Sequence, residues 1–178
     1  MNSNEWLIPA AILAWLPCAA IAQTTLVTER SISVSAAMEL ASVALEACRK
    51  HGSQVTITVL DHAGRTKVVL RDDGANPHSV EHSYRKAYTA LTYRMPSGEY
   101  GKRAAGSFPA SHGPLHLSHI TTSAGGLPIR ADNAVVGAIG ISGTPGAGGS
   151  GAGGGGAADA ACAQAGIDRV FKVPGSEG

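Results

Sequence analysis

Two groups of histidines and one cluster of tyrosine, arginine and lysine carry the chemistry open to this chain. His78 and His82 stand four residues apart and lead into Tyr84, Arg85, Lys86 and Tyr88. Imidazole is a metal ligand and moves protons near neutral pH. A guanidinium grips a carboxylate through two parallel hydrogen bonds, and an ammonium neutralises one as a point charge. The tyrosines offer an aromatic wall for a planar ligand. A second group, His112, His116 and His119, follows the spacing H-x3-H-x2-H, which on a helix would gather three imidazoles for a metal. Gly113-Pro114 interrupts that spacing, so a regular helix is not expected there. These three then read as a histidine-bearing surface loop, or as a loop lending one ligand to a haem or metal. His78 and His82 read as a solvated first turn or as ligands, and the zinc-protease order H-E-x-x-H is absent. The bland reading of Tyr84 to Tyr88 is a helix whose tyrosines pack on a sheet while its charges face water.

The elements that must position these groups follow from periodicity. Ser33 or Ser35 can cap a helix to about Lys50, with Met38, Ala41, Leu45 and Cys48 on one stripe. Val55 to Leu60 alternates as a strand, Asp61-His62-Ala63-Gly64 turns, and Thr66 to Leu70 returns. After the loop Arg71 to Pro77, a helix starts at Ser79 and is stopped by Pro96. Ser97 can cap a short helix to about Ala105. Leu127 to Arg130 and Val135 to Ser142 form a second hairpin, and a further strand is expected near Leu115 to Thr122. Residues 143–156 read as a flexible glycine-rich loop, followed by a short helix over 157–165 that Gly166 ends. The loop lacks the G-K-[ST] ending of a phosphate loop, and no serine sits in a G-x-S-x-G elbow.

The chain of 178 residues fits one domain after its first segment is set aside. Trp6 to Ala22 is an apolar run ending in Ala20-Ile21-Ala22, a small-x-small cleavage pattern. It is short and proline-interrupted for a membrane span. Residues 1–22 are therefore expected to be a signal peptide, 23–31 an exposed lead-in, 32–173 the domain and 174–178 a disordered tail. Pro17 fits a lipoprotein signal at Cys18 badly. Cleavage would leave Cys48 and Cys162, which pair only if their helices are neighbours and otherwise read as two small buried side chains. A formal net charge of +1 and 4% aromatic content exclude a nucleic-acid-binding surface.

Several motifs in order resemble one family. VTITVLDHAGRTKVVLRDDGANP, then SYRKAYTAL, then GGLPI and VVGAIGISG are similar to the HbpS/GlcG family, which includes the C-terminal domain of PduO proteins. The pieces are V-x-V-x-D-x-x-G, the R-x-D-G loop at Arg71, Asp73 and Gly74, the K-A-x-T-A helix at Lys86, Ala87, Thr89 and Ala90, and the G-x-I-G-x-S-G strand. They span about Ile32 to Asp168. The departure lies after Gly143, where family members carry a short acidic segment and this chain has glycines, with Asp159 the candidate equivalent.

The resemblance implies an α/β fold: a profilin-like α/β/α sandwich with a largely antiparallel sheet of about five strands, assembling into homo-oligomers such as octamers. It implies haem binding, with a role in sensing haem, iron or redox stress and a membrane sensor as possible partner. The expected haem-contacting residues are Tyr84, Arg85, Lys86, Thr89, His78, His82, His112 and His116. The iron-ligand candidates are His82, His112, His116 and His119. The expected location is periplasmic or secreted. The alternative is a protein that binds or processes a small hydroxy or keto acid of the glycolate kind. No acid–base pair is defined, so binding is favoured over catalysis.

Overall fold

Ser33 opens the first helix, its hydroxyl accepting the Ala36 N–H at 3.2 Å, and α1 runs Val34–Lys50. Arg49 and Lys50 lie in its last turn, and Gly52 beyond it has φ +72°, as the basic end and glycine stop predict. The computed structural model describes residues 27–106, 117–145 and 155–171. The expected signal peptide, Cys18 and the tail at 174–178 lie outside the described residues, as do His112 and His116. Residues 27–31 are exposed, and Ile32 is anchored by its N–H to the Val136 carbonyl at 2.9 Å.

Two hairpins build the sheet. β1 (Thr56–Asp61) pairs antiparallel with β2 (Thr66–Arg71), and β3 (Gly126–Ala131) with β4 (Ala134–Ser142). The hairpins join through an antiparallel β1–β4 pair, giving the order β2-β1-β4-β3. Asp61 closes the first turn by accepting the backbone N–H groups of Ala63 and Arg65, each at 2.9 Å. Among the described residues the sheet has four strands where about five were expected: residues 117–122 form a turn and irregular chain. That segment ties to a helix instead, the Thr121 N–H donating to Thr89 Oγ1 at 2.9 Å.

The helices make two layers. α1 and α4 (Gly155–Phe171) cover one face, and α2 (Ser79–Tyr93) and α3 (Ser97–Gly106) the other. The first face holds the large aliphatic core: Leu40, Val55, Ile57, Val59, Ile129, Ile139 and Ile141. At about 1.5–3 kcal/mol for each such side chain buried, most hydrophobic stabilisation resides there. The α2 face buries Leu60 with Ala87, Ala90 and Ala138, and beside them a small cluster of Ile120, Tyr100 and Ala104. Polar links supplement it: Thr56 and Ser79 share a hydrogen bond of 2.7 Å, and Thr58 and Ser83 one of 2.8 Å.

Three sequence expectations shift. The buried stripe of α1 is Ala37, Leu40, Ala41, Ala44 and Cys48, while Met38 is 57% exposed. The stripe turns because α4 approaches so closely that a Cβ on Gly166 would strike the Leu40 carbonyl. Gly166 is therefore a contact within α4, not its end. The glycine-rich run also stops earlier than expected, since Gly155 and Gly156 begin α4 and Gly156 packs on Ala124 without room for a Cβ. Across this contact Cys48 and Cys162 form a disulfide with Cα atoms 5.5 Å apart.

Glycines also seat α2. Gly126 and Gly140 face each other across β3 and β4. A Cβ at Gly140 would meet the Ser83 carbonyl and the Ala87 N–H, and one at Gly126 the Lys86 carbonyl. Helix backbone thus lies directly on strand backbone. Gly140→Ala is expected to lower unfolding free energy by about 2–3 kcal/mol through overpacking, measured by urea denaturation; an unchanged midpoint would show that α2 has slack.

Candidate functional site

The spacing along α2 distributes the expected site residues over distinct environments. Ser79, Ser83, Lys86, Ala87, Thr89 and Ala90 are buried. His78 is exposed at the helix entrance and makes no capping hydrogen bond through its side chain. Tyr84, Arg85 and Tyr88 are half-buried on the remaining surface.

Lys86 is buried inside the protein. Its ammonium donates to Asp159 Oδ2 at 2.8 Å and to the Ile141 carbonyl at 2.9 Å. The two side chains are 4% and 2% exposed. The second Asp159 oxygen accepts the Thr144 N–H at 3.2 Å. A lysine from the α2 layer thereby meets an acid from the α4 layer at the end of β4. Thr89, the other signature position expected to touch ligand, is buried and holds Thr121. Both residues organise the site from beneath.

The accessible chemistry lies around them. His82 is half-buried, with Nδ1 3.2 Å from Ser142 Oγ. Burial, helped by the positive charge of Lys86 and by His78 and Arg85, pushes its pKa down to about 4. Its imidazole is therefore neutral through the physiological range. Arg85 donates to Glu81 one turn earlier at 2.5 Å, yet its buried Nε has no partner among the described residues. Tyr84 and Tyr88 stack at 5.8 Å between centroids. The His119 ring stands edge-on to both, at 5.2 Å and 5.4 Å. Burial, with Tyr88 beside it, raises the Tyr84 pKa, so the phenol stays protonated.

The structure thus brings His119 to Tyr84 and Tyr88, and leaves His78 apart at the helix entrance. No group of three or more His, Cys, Asp or Glu side chains suited to a metal ion occurs among the described residues. Sequence reasoning missed Ser142 as the partner of His82 and Glu81 as the partner of Arg85. Asp159 was legible as the candidate equivalent of the family's acidic segment, but not as the partner of Lys86.

The buried pair yields a test. Lys86→Met leaves Asp159 buried without its cation, and is expected to cost about 3–5 kcal/mol. Lys86→Met with Asp159→Leu is expected to recover most of that loss in urea denaturation. A double variant no more stable than the single would show that the Ile141 and Thr144 contacts, rather than charge pairing, dominate.

Comparison with known proteins places this geometry. Residues 32–168 match the model of the HbpS-like family, described as haem-degrading proteins. A crystal structure of a double mutant of HbpS from Streptomyces reticuli is similar at TM-score 0.73 and 34% identity, covering 88% of this chain and 98% of that one. A crystallised PduOC–haem complex shares the fold at TM-score 0.65 and 24% identity, over 77% of this chain and 93% of that one. An uncharacterised 15.0 kDa protein of Citrobacter freundii, from the dhaT–dhaS intergenic region, is 32% identical over 116 residues, 64% of this chain and 80% of its own. The four-stranded antiparallel sheet, its flanking helices and the motif order through Asp168 agree with these matches: the chain belongs to the HbpS-like family.

Proposed function

We propose that this chain is an exported haem-binding protein. Membership of a haem-degrading family and the fold shared with a protein crystallised with haem support the reading. Haem requires an axial donor, apolar or aromatic walls and cations for its propionates. The residues present fit those needs. The observation that carries the reading is the pairing of a neutral, half-buried His82 with the orphaned Nε of Arg85. Ser142 takes the Nδ1 side of the His82 ring, so Nε2 is the nitrogen that would bind iron. Arg85 would hold a propionate, and Tyr84, Tyr88 and His119 would flank the ring plane. Bound haem supplies an iron centre for ligand exchange and one-electron chemistry. Lys86 and Thr89 contribute by fixing the helix that carries these groups.

A second reading rests on the same orphaned donor, since an arginine N–H without a partner also suits the carboxylate of a small hydroxy or keto acid. Homo-oligomers such as octamers, a membrane sensor as partner and a role in haem, iron or redox sensing extend the family reading. Export rests on the apolar leader at 1–22 and on the Cys48–Cys162 bond, which persists in oxidising compartments.

Haemin titration of the purified protein is expected to give a shifted Soret band, and His82→Ala to abolish its low-spin form. Ser142→Ala is expected to weaken haemin by about tenfold. Because the His82 pKa lies near 4, below its usual 6.5, protons compete with iron only as pH falls toward 4, so binding should stay level from pH 7.5 to 5. An unchanged Soret band in His82→Ala would reassign the ligand. Thermal stabilisation by glycolate or lactate without any haemin shift would favour the second reading. For export, mass spectrometry is expected to find the protein outside the cytoplasm, oxidised and beginning at Gln23; a cytoplasmic chain retaining residues 1–22 would overturn that reading.

A further inference from the structure

A groove of about 720 Å³ lies at the other end of α2, between the two hairpin turns. Arg30, Arg94 and Arg130 line it together with Glu29, which faces His62 at 3.5 Å, over a floor that includes Tyr88 and Leu91. Arg30 is paired with Asp132 at 2.7 Å. Arg130 donates to the Arg94 carbonyl at 2.6 Å. That bond caps the electronegative end of α2 and accounts for Arg130. It does not account for the Arg94 side chain, which is exposed and has no hydrogen bond or ion pair among the described residues.

The backbone sharpens the point. Arg94 and Asp132 are the two non-glycine residues with positive φ among the described residues, at +54° and +52°, and both belong to this groove or its ion pair. Aspartate tolerates that conformation in a turn. At a helix end it is normally glycine that takes it. An arginine held there, with its fork free, accepts backbone strain without a structural return.

We propose that this groove binds a monocarboxylate carrying a flat apolar body. The planar carboxylate matches the free guanidinium of Arg94 through two parallel hydrogen bonds. Arg130 adds a second cation beside it, and the apolar body rests on Tyr88 and Leu91. Arg30, already neutralised by Asp132, contributes to the rim. The groove shares Tyr88 with the proposed haem wall but not Arg85 or His82, so substitutions at Arg94 test it apart from haem binding.

Benzoate is the probe, with benzamide as its uncharged counterpart. Calorimetric titration of the purified protein is expected to show saturable binding of benzoate and none of benzamide. Arg94→Gly removes the guanidinium and supplies the residue the backbone favours. It is expected to weaken benzoate by about tenfold or more while the melting temperature holds or rises. Arg94→Gln should weaken benzoate similarly, and both variants should titrate haemin as the native protein does. Benzoate binding that is absent in the native protein, equal to that of benzamide, or undiminished in Arg94→Gly would overturn the proposal. A lower melting temperature in Arg94→Gly would also overturn it, because it would show that arginine serves the fold at that position.

Discussion

The joint between the two helical layers is one buried charge pair. Lys86 comes from α2 and Asp159 from α4, and they meet at the end of β4, where the Ile141 carbonyl and the Thr144 N–H complete their coordination. A buried pair of this kind adds little net stability over an apolar substitute, but it tolerates few alternative arrangements. Each partner is costly unless the other is in place. The pair therefore fixes the height of α2 on the sheet and the start of α4 after the glycine-rich stretch. His82 and Arg85 take their positions from that helix. The low pKa of His82 also owes part of its shift to the Lys86 charge beneath it.

The two faces of the sheet divide the work. The α1–α4 face is aliphatic and covalently stapled, and carries most of the hydrophobic stabilisation. The α2 face is held by serine–threonine hydrogen bonds, backbone contact over Gly126 and Gly140, and the ion pair. Polar side chains can stay half-exposed on this second face because the first supplies most of the fold's hydrophobic stability. That arrangement explains how half-buried imidazole, guanidinium and phenol groups gather on one helix in a domain with so few aromatics.

The sequence was legible where local physics decides. Alternation located the first hairpin, the Asp61–Gly64 turn carried its own signal, and Ser33 and Gly52 marked the ends of α1. It was illegible where a distant segment decides. Gly156 and Gly166 look like breakers in isolation but are helix residues that admit Ala124 and the backbone of Leu40. The expected fifth strand near 115–122 failed because the described part of that segment hydrogen-bonds to Thr89 rather than to a strand edge. In the R-x-D-G loop the motif drew attention to Asp73. The buried acid is its neighbour Asp72, which accepts both Nε and Nη2 of Arg49 and ties the loop to α1. Lys86 and Thr89 were found by motif, but their roles required their partners. At the site, the chain's own spacing brought His82 and Arg85 to attention, while Ser142, sixty positions away, could only be found in three dimensions.

The Cys48–Cys162 bond spans 114 positions and joins α1 to α4, the first and last helices among the described residues. It makes a nearly complete ring of the domain. Cys162 leaves the ribosome after every described strand and the other described helices, so closure follows synthesis of nearly the whole described fold. Oxidation thus acts as a seal on finished chains, and a truncated product lacking the last helix carries an open thiol at Cys48. Once the ring is sealed, a single protease cut anywhere between the two cysteines leaves both pieces bound to each other.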